Sequence, residues 1–316
     1  MARAFIFPGQ GSQAVGMGKA LADASAAARA VFEEVDDALA EKLSQTMWEG
    51  PEETLTLTAN AQPALMAVSI AVVRALEVDH GLHVADHVTF VAGHSLGEYS
   101  ALAGAGALTV ADAARLLRRR GEAMQTAVPV GDGAMAAMLG IDLAAASSLA
   151  EVASEAGLCE VANDNAPGQV VLSGSKAGVY RAVEIAKDHG AKRAIPLNVS
   201  APFHCALMAP AADAMEAALA EISVQAPSVP LVANVTAEPI SDPLEIKRRL
   251  VEQVTGTVRW RECMQTMGTA GCDSFFEIGA GKVLSGLARQ IERGWSAKPV
   301  GGPDEIAAFA ETLAAG

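Results

Sequence analysis

With 316 residues, the chain is long enough for one large domain carrying an insertion, or for two domains. Its 51% hydrophobic content with only 4% aromatic describes an alanine-rich aliphatic core, and four cysteines without paired spacing (Cys159, Cys205, Cys263, Cys272) read as reduced thiols. A net charge of −14 argues against nucleic acid as a partner, and no run of 18 uncharged apolar residues or signal-peptide pattern occurs, so an acidic cytoplasmic protein without a membrane segment is expected.

Ala4 to Phe7 reads as a strand stopped by Pro8. The loop Gly9-Gln10-Gly11-Ser12-Gln13 follows, then a helical pattern from about Met17. Backbone N–H groups in such a loop can hold a phosphate or an oxyanion. The Lys-Ser/Thr of a P-loop and the Gly-x-Gly-x-x-Gly spacing are both missing, which disfavours a nucleotide and makes the N–H of Gln10 a candidate oxyanion donor. Asn60-Ala-Gln-Pro63 opens a helix to about Val78 that is apolar on nearly every side and so predicted to be buried, with Pro63 in its first turn. His80, His83 and His87 fall in a polar linker and read as surface histidines rather than a metal site.

Val88 to Ala92 is a short β-rich run, Leu96 onward reads as a helix, and Gly93-His94-Ser95-Leu96-Gly97 lies between them. Strand, sharp turn at Gly-x-Ser-x-Gly, then helix is the context of a nucleophile elbow, with Ser95 as nucleophile and the N–H of Leu96 as second oxyanion donor. Thr109-Val-Ala-Asp112 looks like a capping box for a helix to about Met124. At 100° per residue, Ala113, Leu116, Leu117, Arg120 and Met124 share its apolar face, whereas Arg115, Arg118 and Arg119 point elsewhere. An arginine on that stripe needs an anion. Two readings stand level: a buried ion pair or snorkelling stem, and a planar fork awaiting a substrate carboxylate.

Between Val128 and Val199 the pattern becomes β-α-β-β-α-β (strand 133–140, helix 143–156, strands 158–163 and 169–173, helix 175–189, strand 193–198), the ferredoxin-like order. The expected architecture is α/β: an α/β-hydrolase-like core with a parallel sheet (1–127 and 198–316) and an inserted ferredoxin-like α+β subdomain (128–197). Ala201-Pro-Phe-His204-Cys-Ala-Leu-Met then starts a helix, with His204 in a Pro-bounded loop at its start, a strand is expected at Leu231 to Asn234, and Phe275 to Lys282 forms a strand and Gly-rich turn. A serine nucleophile needs a base. His94 is its neighbour, but an elbow sends adjacent side chains apart, and His189 lies in the insertion; His204 is left. No acid stands out as its orienter, so a dyad oriented by a backbone carbonyl is as open as a triad.

Phe7-Pro-Gly-Gln-Gly-Ser-Gln13, Gln62-Pro-Ala-Leu65, Gly93-His-Ser-Leu-Gly-Glu-Tyr-Ser100, Arg120-Gly, Asn163-x-Asn165-x-Pro-Gly-Gln169, Pro202-Phe-His204 and Phe276-Glu-Ile-Gly-Ala-Gly281 run nearly end to end. Together they resemble the malonyl-CoA:acyl carrier protein transacylases of type II fatty-acid synthesis, and are similar to acyltransferase domains of polyketide synthases. The resemblance implies Ser95 as the acylated nucleophile, His204 as general base and acid, and Gln10 and Leu96 as oxyanion donors. It implies Arg120 as the clamp on the malonyl carboxylate and Gln253 as the residue whose carbonyl orients His204. Asn163, Asn165 and Met124 would line the site, and Phe203 would favour malonyl over methylmalonyl. It further implies malonyl-CoA and acyl carrier protein as partners, phosphopantetheine on the acceptor, no resident cofactor or metal, and a monomer. Arg118, Arg119, Lys187, Lys192 and Arg193 are candidate docking cations for an acidic carrier. A serine esterase or thioesterase is the rival reading, sharing the elbow without needing Arg120.

Overall fold

The computed structural model describes residues 2–314. Met1 and residues 315–316 of the expected large-domain limits lie outside the described residues. The strands are β1 (Ala2–Phe7), β2 (Phe90–Gly93), β3 (Gly133–Leu139), β4 (Cys159–Ala166), β5 (Gln169–Ser175), β6 (Arg193–Pro196), β7 (Leu231–Val232), β8 (Pro239–Ile240), β9 (Cys272–Ile278) and β10 (Ser296–Val300). One sheet has the order β10-β9-β1-β2-β7-β8, and the other β4-β5-β3-β6.

In the first sheet every pairing is parallel except β7–β8, so the expected parallel sheet carries one antiparallel edge. Alternation along β1 builds a three-layer core. Phe5 and Phe7 join an apolar cluster with the Thr58–His80 helix, whereas Ala4 and Ile6 join another with the Trp260–Thr269 and Val283–Ile291 helices. The Thr58–His80 helix is long and apolar enough by length and composition to cross a bilayer, yet 83% of its most apolar stretch is buried inside the fold. It is a core helix, as its all-round apolar sequence predicts.

The strand expected at Leu231 to Asn234 is shorter, ending at Val232. The chain turns at Ala233, whose N–H donates to the Glu238 carbonyl, while the Asn234 N–H turns to Glu98. Pro63 also sits deeper than expected: the helix begins at Thr58, so Pro63 lies inside it, past the first turn. Residues 201–208 hold only a 3₁₀ turn at Ala206–Met208 before the Ala209–Ala220 helix, leaving His204 in a loop.

The second sheet is wholly antiparallel and its strands alternate with the Leu143–Ala153 and Lys176–Ile185 helices. That is the ferredoxin-like arrangement. The latter helix ends sooner than expected, and the turns beyond it run to Gly190 at φ 90°. Ala136 and Met138 of β3 pack under these two helices, while Met135 turns to the large core. The second sheet is stitched to the rest of the fold where β4 meets the loop and helix start at 257–261. Val258 donates to the Ala162 carbonyl at 2.8 Å, Asp164 N–H donates to the Val258 carbonyl at 3.0 Å, and Arg261 pairs with the buried Asp164 at 2.8 Å.

Candidate active site

The loops after β1, β2 and β7 leave the carboxyl ends of adjacent parallel strands, where open α/β sheets place their ligand sites. Ser95 sits in the turn after β2 with φ 53°, a left-handed conformation that costs a serine about 1–3 kcal/mol. The flanking glycines permit that turn. A Cβ on Gly93 would fall 1.8 Å from the Gly97 carbonyl carbon, and one on Gly97 would fall 2.3 Å from the Phe7 carbonyl oxygen. The expected elbow is there.

His204 Nε2 lies 2.8 Å from Ser95 Oγ, and His204 Nδ1 lies 2.9 Å from the Gln253 backbone carbonyl. A carbonyl only accepts, so Nδ1 carries the proton and Nε2 is free to take one from the serine. Of the two arrangements left open by the sequence, the structure has the carbonyl-oriented dyad. His204 also stands in the left-handed region, at φ 58°. Burial, reinforced by the Arg120 charge, pushes the imidazole down to about 3, which keeps it neutral, with the Nε2 lone pair unprotonated, at ordinary pH. His94 points elsewhere, its Nε2 lying 2.8 Å from Asn165 Oδ1 and its ring against Trp260.

Gln10 and Leu96 line the same cleft as Ser95, and among the described residues neither backbone N–H has an acceptor. The Gln10 side chain donates to Thr58 Oγ1 at 3.3 Å, and Thr58 Oγ1 lies 3.0 Å from Ser200 Oγ, tying the first loop to the returning chain.

Arg120 is only 1% exposed, on the helix face its spacing predicts. Among the described residues no carboxylate lies within 4 Å of its guanidinium, so the ion-pair and snorkelling readings both fail. Its Nη1 donates to Gln62 Oε1 at 2.8 Å, and its Nη2 donates to Gln253 Oε1 at 2.7 Å and to Ser95 Oγ at 3.1 Å. The guanidinium stacks over Tyr99, 5.8 Å from the ring centroid.

Three buried polar side chains escaped the sequence reading as site groups: Gln62, Glu98 and Asn234. Asn234 Oδ1 accepts the Ser95 N–H at 2.8 Å, and its Nδ2 donates to the Gly93 carbonyl at 2.8 Å. Glu98 Oε1 accepts the Asn234 N–H at 2.6 Å, and Oε2 accepts the Gln253 side-chain amide. With an N–H donor on each oxygen and the Arg120 charge nearby, Glu98 is held as the carboxylate, although burial pushes the group upward. A polar residue inside an apolar helix run is the signal that could have found Gln62 and Glu98.

Met124, Asn163, Asn165 and Phe203 line the cleft, which encloses about 380 Å³, with Met135 and Val171 contributed by the second sheet. Of the docking candidates, Lys187, Lys192 and Arg193 are exposed. Arg119 pairs with Glu221 at 3.2 Å. Arg118 is a correction: it is largely buried, bound to Asn60 and Glu41, and is no free surface cation. His80 and His83 are exposed, and among the described residues no three metal-ligating side chains converge.

The acyl transferase domain family matches residues 4–299. The malonyl CoA-acyl carrier protein transacylase of Bacillus subtilis is 47% identical over 311 residues, 98% of this chain and 96% of that protein. The one from Escherichia coli is 43% identical over 308 residues, covering 98% of each. The crystal structure of an acyl-carrier-protein-S-malonyltransferase from Bartonella henselae superposes with a TM-score of 0.97 at 57% identity, over 99% of this chain and 100% of that one. A malonyl-transacylase solved in complex with a type II PKS acyl-carrier protein superposes with a TM-score of 0.95 at 39% identity, over 99% and 100% of the chains. With the family matched over residues 4–299 and relatives 43–47% identical along 98% of its length, the chain belongs to the acyl transferase domain family.

Proposed function

We propose that this chain transfers a malonyl group from malonyl-CoA to the phosphopantetheine thiol of an acyl carrier protein, through an acyl intermediate on Ser95. The observation that carries the substrate class is Arg120: a buried guanidinium without a carboxylate partner, one hydrogen bond from the candidate nucleophile. A substrate with a free carboxylate supplies the missing anion beside the hydroxyl that attacks it. The names of the relatives, and the neighbour held by an acyl-carrier protein, support the same reaction.

In the first half, His204 Nε2 takes the Ser95 Oγ proton as Oγ bonds to the malonyl thioester carbon. The backbone N–H groups of Gln10 and Leu96 receive the oxyanion. The C–S bond then breaks, and His204 returns the proton to the coenzyme A sulfur. In the second half the carrier's thiol gives its proton to His204 and attacks the malonyl ester, regenerating Ser95. The scheme draws only on the chain's own groups and its two substrates. Asn163, Asn165, Met124 and Phe203 shape the pocket, while Lys187, Lys192 and Arg193 meet the acidic carrier. The protein works as a monomer in the cytoplasm.

Hydrolysis by the same elbow is the rival reaction, and one assay separates them. Free thiol is followed after addition of malonyl-CoA, with and without carrier protein. Transfer predicts sustained release only with the carrier; equal release without it would make the protein a thioesterase.

A further inference from the structure

We propose that Glu98 is a positioning residue: through its hydrogen bond from the Gln253 amide nitrogen it fixes which end of that amide faces Arg120, and so seats the guanidinium that selects a carboxylated acyl group. The inference rests on the malonyl-transfer reading above.

By shape alone the Gln253 amide fits its site in either orientation. Its neighbours decide between them. The Ser95 carbonyl only accepts, the Glu98 carboxylate accepts, and the Arg120 guanidinium only donates. The amide nitrogen accordingly faces Ser95 O at 2.9 Å and Glu98 Oε2, leaving Gln253 Oε1 to receive Arg120 Nη2 at 2.7 Å. Flipped, the amide would set N–H against guanidinium and oxygen against two acceptors.

Glu98 lies in the first turn of the Gly97–Gly104 helix and is 1% exposed, so no bulk water replaces a lost partner. Its other oxygen takes the Asn234 N–H, and the Asn234 side chain grips the backbone at Gly93 and Ser95. One carboxylate thus fastens the underside of the elbow and the seat of the arginine together.

The substitution Glu98→Gln keeps the shape and removes one acceptor. Its new amide must oppose the Asn234 N–H or the Gln253 amide. The second conflict is relieved by flipping Gln253, which turns an N–H₂ onto Arg120. Glu98→Asp keeps two accepting oxygens on a shorter stem. A packing role would rank Gln above Asp; a role through hydrogen-bond polarity ranks Asp above Gln.

The test measures kcat/KM for malonyl-CoA with carrier protein, the rate of Ser95 labelling by a fluorophosphonate, and thermal unfolding. The labelling rate reports the Ser95–His204 pair without needing a carboxylate. In Glu98→Gln, malonyl transfer is expected to fall about 10- to 100-fold while labelling falls less than about threefold, with Glu98→Asp between it and wild type. Equal falls in transfer and labelling, or no fall in either, would overturn the proposal. Should Glu98→Gln not fold, Gln253→Met removes the amide while keeping the carbonyl on His204. It is expected to show the same split, and equal losses there would overturn the proposal too. Wild type that is labelled yet transfers no malonyl would overturn the function reading itself; active wild type with an unsplit variant would overturn Glu98 alone.

Discussion

On the proposed reading, Arg120 is the residue on which substrate choice turns. A charge-assisted bidentate pair in a sheltered site is worth about 2–4 kcal/mol, roughly 30- to 1,000-fold in discrimination. Arg120→Ala is therefore expected to lose malonyl transfer by that order while acetyl transfer is kept or raised; paired assays with malonyl-CoA and acetyl-CoA check it, and equal losses would contradict the clamp. His204 sets the pH response. With its folded value pushed to about 3, against 6.5 ordinarily, the imidazole does not gain a proton as pH falls through 6.5. Ser95 labelling should then show no acidic limb at pH 6.5, which a pH–rate profile down to pH 5 measures. The unfolded chain does bind that proton, so this group's contribution lowers stability as pH falls from 6.5 toward 3. Ser95 and His204 were legible in the sequence because a nucleophile elbow is a local pattern and only one histidine lay outside the wrong settings. Asn234 was not, because its work depends on β7 lying beside β2, a neighbour relation that no local spacing encodes.

At the scale of elements, the Val110–Thr126 helix delivers Arg120, and its start is held by the predicted cap. Thr109 Oγ1 accepts the Asp112 N–H at 3.0 Å. Thr109→Ala should cost about 1 kcal/mol of stability, read from urea denaturation, with malonyl transfer largely kept. The elbow has no such tolerance. Gly93→Ala places a methyl 1.8 Å from backbone, and the expected outcome is insoluble or unfolded protein rather than a slow enzyme. Elements with strong periodicity were legible to within a few residues, including the six alternating strands and helices of the insertion. The short β7 was not, because the tertiary bond from Glu98 shapes that backbone rather than propensity.

Across the whole molecule, the cleft depends on the second sheet keeping a fixed place against the rest of the fold, and the bonds from β4 to the 257–261 segment supply that connection. Arg261, 27% exposed at its side chain, binds both oxygens of the nearly buried Asp164. Removing it leaves that carboxylate unpaired, at an expected cost of roughly 2–4 kcal/mol after allowance for the arginine's partial exposure. Chemical denaturation of Arg261→Ala measures this, and a change under about 0.5 kcal/mol would contradict the role. The stitched stretch begins four residues after Gln253, so the β4 contact and the carbonyl held by His204 share one short piece of backbone. On the proposed reading all of this serves one chemical event, the passage of malonyl through Ser95. Intact-protein mass spectrometry after brief exposure to malonyl-CoA, without carrier, tests it most directly. The account predicts one malonyl adduct on wild type, none on Ser95→Ala, and its discharge when carrier protein is added. An undiminished adduct on Ser95→Ala would contradict it.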